Sequence, residues 1–232
     1  MSAAAYWVFI WHRNLQIQIP MSYFVRELNE EFPFHISGRC NNKENFPVPL
    51  SEAWEIFSDY LFMLHHNYDM KIHSFVLMSN HYHLLASDPK LNMSKAMAEF
   101  MRSTSKEMGR ISFRINKIWG SRFHSCLIDD TSYFLNTYKY NYRNPVAAGL
   151  CSRVEDYPWS TLQLLLGKKT GAIPLVEDDT LMNDVEGTLR WLNEAYRPDE
   201  AEVIKLASQK KIFKLSRDPN TGRKRSLTSG DP

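Results

Sequence analysis

Short blocks of apolar residues recur along this chain, and their spacing predicts alternating strands and helices. Phe32 to Gly38 is a short apolar run closed by glycine, the pattern of a strand. Arg39 to Pro49 is rich in Asn and Pro and reads as a loop. Ser51 caps a helix on which Trp54, Phe57, Leu61 and Leu64 recur at three and four residues, ending near His65-His66-Asn67. Lys71 to Met78 and His81 to Ser87 are two further strands. Only Ser79-Asn80 separates them, so they pair antiparallel. Asn92 to about Ile115 is a long helix with a basic exposed side, and Trp119 to Ile128 is extended. Asp130 to about Asn144 is another helix, with Asp129 or Asp130 available to cap it. This order predicts an α+β fold: an antiparallel sheet with helices packed on one face.

The pattern divides the chain into three stretches. Residues 1–30 form an N-terminal extension with some helical pattern, and residues 31–167 carry the strand and helix series. Residues 168–232 form a C-terminal extension, an acidic helical segment followed by a basic tail that frays from about Asp218. No internal repeat interrupts this order.

Composition narrows the class. The chain has 232 residues, 44% of them hydrophobic, enough for one domain with a full core and unlike a disordered chain. No stretch approaches the ~20 apolar residues of a membrane helix, so no membrane partner is expected. The apolar run from Met1 to Trp11 is short and no basic region precedes it, which argues against a signal peptide. Cys40, Cys126 and Cys151 are far apart and odd in number, which argues against a disulfide framework or a cysteine zinc site and fits a reducing cytoplasm. Net charge is only +2 but unevenly spread: −4 over residues 1–89, +7 over 90–169, −7 over 170–204 and +6 over 205–232. The basic blocks suit a polyanion partner, and they also suit solvated helix faces.

Two features carry chemistry. His81 and His83 are two apart at the start of a strand, so both imidazoles project from one face. Two neutral imidazoles make a divalent-metal pair that needs a third ligand and open positions for substrate; the plainer alternative is two ordinary strand histidines. None of the remaining histidines has comparable spacing. The segment Tyr133 to Pro145 holds four tyrosines, and Tyr140 and Asn144 lie at i and i+4 on one helical face. An amide oxygen there can reach the metal beside the tyrosine. Spacing alone does not choose Tyr140 over Tyr138 or Tyr142. Pro145 disfavours helical geometry at Asn144, so the helix is expected to loosen there.

Four segments in order resemble the REP-associated tyrosine transposases and their insertion-sequence relatives of the HUH (His-hydrophobic-His) superfamily. They are His73 to Leu85 around His81-Tyr82-His83, Trp119 to His124, Tyr140 to Leu150 around Asn144-Pro145, and Asp156 to Ser160. The resemblance covers about Phe32 to Gly167. It implies a ferredoxin-like sheet and metal-dependent cleavage and strand transfer of single-stranded DNA near hairpins, in a bacterial cytoplasm, by a monomer or homodimer. By position it implies that His81, His83 and Asn144 hold Mg²⁺ or Mn²⁺ and that Tyr140 is the nucleophile forming a 5′-phosphotyrosine. Tyr82 departs from the small aliphatics common between the two histidines. Asn141-Tyr142-Arg143 is more polar than usual and keeps Tyr142 as a second candidate.

Arg122 and His124 lie in a matched segment and are expected to contact DNA. Arg102, Lys106, Arg110 and Arg114, with Lys117 just after them, recur along the long helix and suit a phosphate backbone or a solvated face. Trp119 and Trp159 read as core anchors rather than base-stacking platforms. Two other functions fit fewer of these features: a non-catalytic single-stranded nucleic-acid-binding module, and a metal-dependent nuclease without a covalent step.

Overall fold

A computed structural model of the chain describes residues 7–12, 15–20 and 26–216. Its centre is a four-stranded antiparallel sheet of β3 (Phe34–Arg39), β4 (Lys71–Leu77), β5 (His81–Ser87) and β6 (His124–Leu127), in the order β4-β5-β3-β6. Helix α1 (Leu50–Tyr68) joins β3 to β4, and α2 (Met93–Ser112) joins β5 to β6. Strand–helix–strand, twice, with the third strand between the first two, is the ferredoxin-like arrangement expected from the element order.

Period-two alternation assigns each strand face. Phe34, Ile36, Phe75, Leu77, Tyr82, Leu84 and Ala86 meet α1 and α2 in one core with Trp54, Phe57, Leu61, Met97 and Phe100. Trp119 belongs to this core too, donating its indole N–H to the Met101 carbonyl at 2.8 Å. Helix α2 starts where the buried Asp88 carboxylate accepts the backbone N–H groups of Asn92 (3.0 Å) and Met93 (2.7 Å). It ends earlier than the pattern suggested, because Phe113 turns left-handed at φ 58°.

The helices do not all lie on one face. Helix α3 (Thr131–Ala147), capped by Asp130 through the Ser132 N–H, crosses the opposite face. There Val76, Leu85 and Cys126 pack with Tyr138, Tyr142, Trp191, Ile204 and Phe213 in a second core. The sheet is therefore apolar on both sides, which the near-continuous burial of β4 and β5 requires. Helix α3 also runs through Pro145 instead of loosening at Asn144. The Ala148 N–H still bonds the Asn144 carbonyl, and that of Leu150 closes back on Pro145.

The ends of the chain differ most from expectation. In place of a helical N-terminal extension, β1 (Trp7–His12) and β2 (Leu15–Pro20) pair antiparallel from Trp7↔Pro20 to His12↔Leu15. The run is rich in Val, Ile and aromatic residues and alternates at Gln16-Ile17-Gln18-Ile19, a strand period that outweighs the weak helical one. Beyond α4 (Leu162–Leu165), the chain forms α5 (Asp179–Asn183), α6 (Val185–Asn193) and α7 (Pro198–Ser208), the helical segment expected there. This segment does not stand apart from the sheet. Leu175 bridges to Ile72 on the β4 edge and Ile212 bridges to Leu127 on the β6 edge, so both sheet edges are covered. The tail from Asp218 lies outside the described residues.

Candidate active-site cleft

One end of the sheet carries a cleft of about 460 Å³, between the strand face opposite α1 and α2 and the helices α3 and α7. Its floor is His35, Ser37, His81, His83 and His124, and its walls include Arg39, Arg122, Tyr140, Asn144, Lys205 and Ser208. Strand geometry places the floor. His81 and His83 share a face with Leu85, and β3 sets Ser37 opposite His83 and Arg39 opposite His81. The intervening Tyr82 points into the other core, fully buried between Phe57, Phe75, Phe100 and Trp119. Gly38, its register partner, leaves room for the ring; a Cβ there would lie 2.7 Å from Tyr82 Cε1. An aromatic residue between the two histidines is thus accommodated by a glycine on the neighbouring strand.

The imidazoles are held neutral. Burial, then the Arg39 charge, lowers His81 to about 4. Burial holds His83 well below the usual range, with His35, His81 and Arg39 adding to it. Both rings have one nitrogen spoken for: His81 Nδ1 lies 2.7 Å from Asn80 Oδ1, and His83 Nδ1 lies 2.9 Å from His35 Nε2. His83 Nε2 is buried without a hydrogen-bond partner. A neutral ring with an unpartnered outer nitrogen beside a polar cleft suits a divalent cation in the tautomer that leaves that nitrogen its lone pair. Among the described residues no three His, Cys, Asp or Glu side chains gather to hold a metal. Asn144, on the cleft wall, brings an amide to the same space as His81 and His83. Its Nδ2 donates to the Tyr140 carbonyl at 2.9 Å, which leaves the amide oxygen for another partner.

Helix periodicity sorts the tyrosines. Tyr138 and Tyr142 turn into the second core, where Tyr138 donates to Asp178 at 2.7 Å and Tyr142 shares a hydrogen bond with Thr161 at 3.1 Å. Tyr140 and Asn144 turn into the cleft. The Tyr140 ring stands edge-on to His83 (5.7 Å between centroids) and to His35 (6.1 Å). Burial raises the Tyr140 phenol above its ordinary pKa; the Arg39 charge and the polar side chains of Asn144 and Ser208 work against that rise, and Glu202 adds to it.

The family model for IS200-like transposases matches residues 30–146. The chain belongs to that family. Among solved structures, it is similar to a REP-associated tyrosine transposase bound to a REP hairpin, at 19% identity and a TM-score of 0.55, over 68% of this chain and 93% of that one. No curated protein matches the sequence. The structural likeness supports the four-stranded α+β fold, and the family match spans the elements from β3 into α3.

Of the residues expected to contact DNA, Arg122 and His124 line the cleft, with His124 Nε2 3.0 Å from the Ser208 carbonyl. Arg102, Lys106 and Arg110 lie on the exposed side of α2, away from the cleft; Arg110 pairs with Glu107 and Arg114 with Glu44, both at 2.6 Å. Sequence spacing missed His35, Arg39, Asn80, Lys205 and Ser208. Alternation along β3 puts His35, Ser37 and Arg39 on one face, but only the pairing register brings that face beside His83.

Proposed function

We propose that this transposase cleaves and rejoins single-stranded DNA through a tyrosine nucleophile and a divalent cation. The convergence of His81, His83, Asn144 and Tyr140 on one cleft supports it. His81, His83 and Asn144 would hold the cation, Mg²⁺ or Mn²⁺. When bound, it supplies Lewis-acid polarisation of a phosphate and offsets charge developing on its oxygens. Of the four tyrosines on α3, Tyr140 is the one that lines this cleft, so it is assigned as nucleophile.

The remaining steps belong to the chain. Tyr140 Oη attacks phosphorus and gives up its proton, and the departing 3′ oxygen takes one up. The product is a 5′-phosphotyrosine and a free 3′-hydroxyl. The new bond conserves the ester, so a second 3′-hydroxyl can reverse the step and join strands. Arg39 beside Tyr140 favours the phenolate as it forms. Arg122 and Lys205 bring positive charge to the same cleft and are assigned to phosphates flanking the scissile one. The exposed α2 cations Arg102, Lys106 and Arg110, with Arg114 just beyond the helix, are assigned to DNA farther out. One chain supplies every one of these groups, so a monomer suffices for cleavage. The similar structure holds a REP hairpin, and a hairpin-bearing single strand is the substrate proposed here.

Incubation with such an oligonucleotide and Mg²⁺ or Mn²⁺ tests the proposal. A slower-migrating covalent adduct on a denaturing gel is expected, abolished by EDTA and by His83→Ala. Metal-dependent cleavage with no adduct would favour a hydrolytic nuclease. Chelator-insensitive binding without cleavage would favour a binding module.

A further inference from the structure

On the cleft floor His83 meets a second buried imidazole, His35, that the cleavage chemistry above does not use. His35, 2% exposed, lies edge to edge with His83, ring centroids 5.2 Å apart and planes 8° from parallel. One hydrogen bond of 2.9 Å joins His35 Nε2 to His83 Nδ1. The two outer nitrogens, His35 Nδ1 and His83 Nε2, are buried without partners. A neutral imidazole carries one N–H and one lone pair, so a single proton between the rings fixes both tautomers. With the proton on His35 Nε2, His83 must carry its own on Nε2, and an N–H faces the cleft. With the proton on His83 Nδ1, His35 accepts it, and His83 Nε2 faces the cleft as a lone pair.

We infer that His35 is a positioning residue that selects the cation-binding tautomer of His83 by accepting its Nδ1–H. The inference rests on the metal reading of this cleft. Outer partners of ligand histidines are commonly carboxylates, carbonyls or water, and removing them costs 10–100-fold in metal affinity. Here a second imidazole has that place, on the strand next to the ligand strand. The same pairing holds the His83 ring plane, because β3 and β5 fix both backbones in register.

Mn²⁺ binding to the full chain without DNA, followed by electron paramagnetic resonance, separates this role from packing. Three variants are compared. His35→Gln keeps an acceptor near the position of Nε2. His35→Asn places its amide short of it, and His35→Leu removes it while keeping apolar bulk. The unchanged chain and His35→Gln should bind Mn²⁺ within about threefold of one another, and His35→Asn and His35→Leu about 10–100-fold more weakly. Melting temperatures of the same samples should not follow that order. Equal affinity for the Gln and Asn variants would overturn the inference, even if the Leu variant fails to fold. So would undiminished binding by a folded Leu variant. Absence of Mn²⁺ binding by the unchanged chain would overturn the metal reading and the inference together.

Discussion

Gly38→Ala adds one methyl group where the structure has no space for it. The new Cβ would lie 2.7 Å from Tyr82 Cε1 and 3.0 Å from Cζ and Oη. Carbon–carbon contacts are comfortable at about 3.5–4.0 Å, so the ring would have to retreat by roughly an ångström. Its exits are closed: Phe57, Phe75, Phe100 and Trp119 surround it at centroid distances of 5.7, 6.0, 5.6 and 5.6 Å. Overpacking of this kind costs about 1–3 kcal/mol. For a chain of this length the melting temperature should fall by about 2–4 °C per kcal/mol. Urea denaturation of Gly38→Ala, Tyr82→Leu and the double variant measures the effect as a cycle. Tyr82→Leu alone leaves a cavity and is also destabilising. The double variant should lose less than the sum of the two, with a coupling of about 1 kcal/mol or more, because the smaller side chain no longer meets the methyl. Simple additivity, or a Gly38→Ala protein within about 0.5 kcal/mol of the unchanged chain, would refute the argument that this glycine exists to admit the aromatic between His81 and His83.

Two further expectations follow from the scaffold. Asp88→Ala removes both hydrogen bonds that start α2 and should cost about 1–2 kcal/mol in guanidinium denaturation; an unchanged midpoint would show that the cap is dispensable. Burial holds the imidazole of His73 down to about 4, against about 6.5 in an unfolded chain. The unfolded state therefore binds the proton first, so stability present above pH 6.5 is lost as pH falls toward 4, by on the order of 3 kcal/mol for this group. His73→Gln should flatten the stability–pH curve over that window while keeping the contact with Ser87; parallel curves for the two proteins would contradict it.

Local signals and long-range ones fared differently in the sequence. The central helices and strands were legible because their apolar spacing is strong, as on α1 with Trp54, Phe57, Leu61 and Leu64. Placing His81 and His83 on one face needed only the strand period. Three features depend on contacts between distant segments. Nothing near α3 in sequence says that Tyr138 and Tyr142 meet Val76 and Leu85 on the far face of the sheet, so the helices read as a single layer. The role of His35 appears only when β3 and β5 pair in register. The entry of Lys205 and Ser208 into the cleft depends on residues 211–213 bonding to the β6 edge, a contact more than eighty residues away along the chain. The N-terminal hairpin is a different case. Its β-branched and aromatic run carries a strand period stronger than the helical one over the same residues.

The central claim is the attack by Tyr140, and mapping the covalent linkage tests it most directly. After reaction with a hairpin-bearing single strand and Mn²⁺, the protein is digested with nuclease and protease, and the nucleotide-bearing peptide is fragmented by mass spectrometry. The modification is expected on Tyr140 alone, with no adduct from Tyr140→Phe. Tyr138 and Tyr142, whose hydroxyls are bonded to Asp178 and Thr161 in the second core, should stay unmodified. A nucleotide on either of those residues, or an adduct that persists in Tyr140→Phe, would contradict the account.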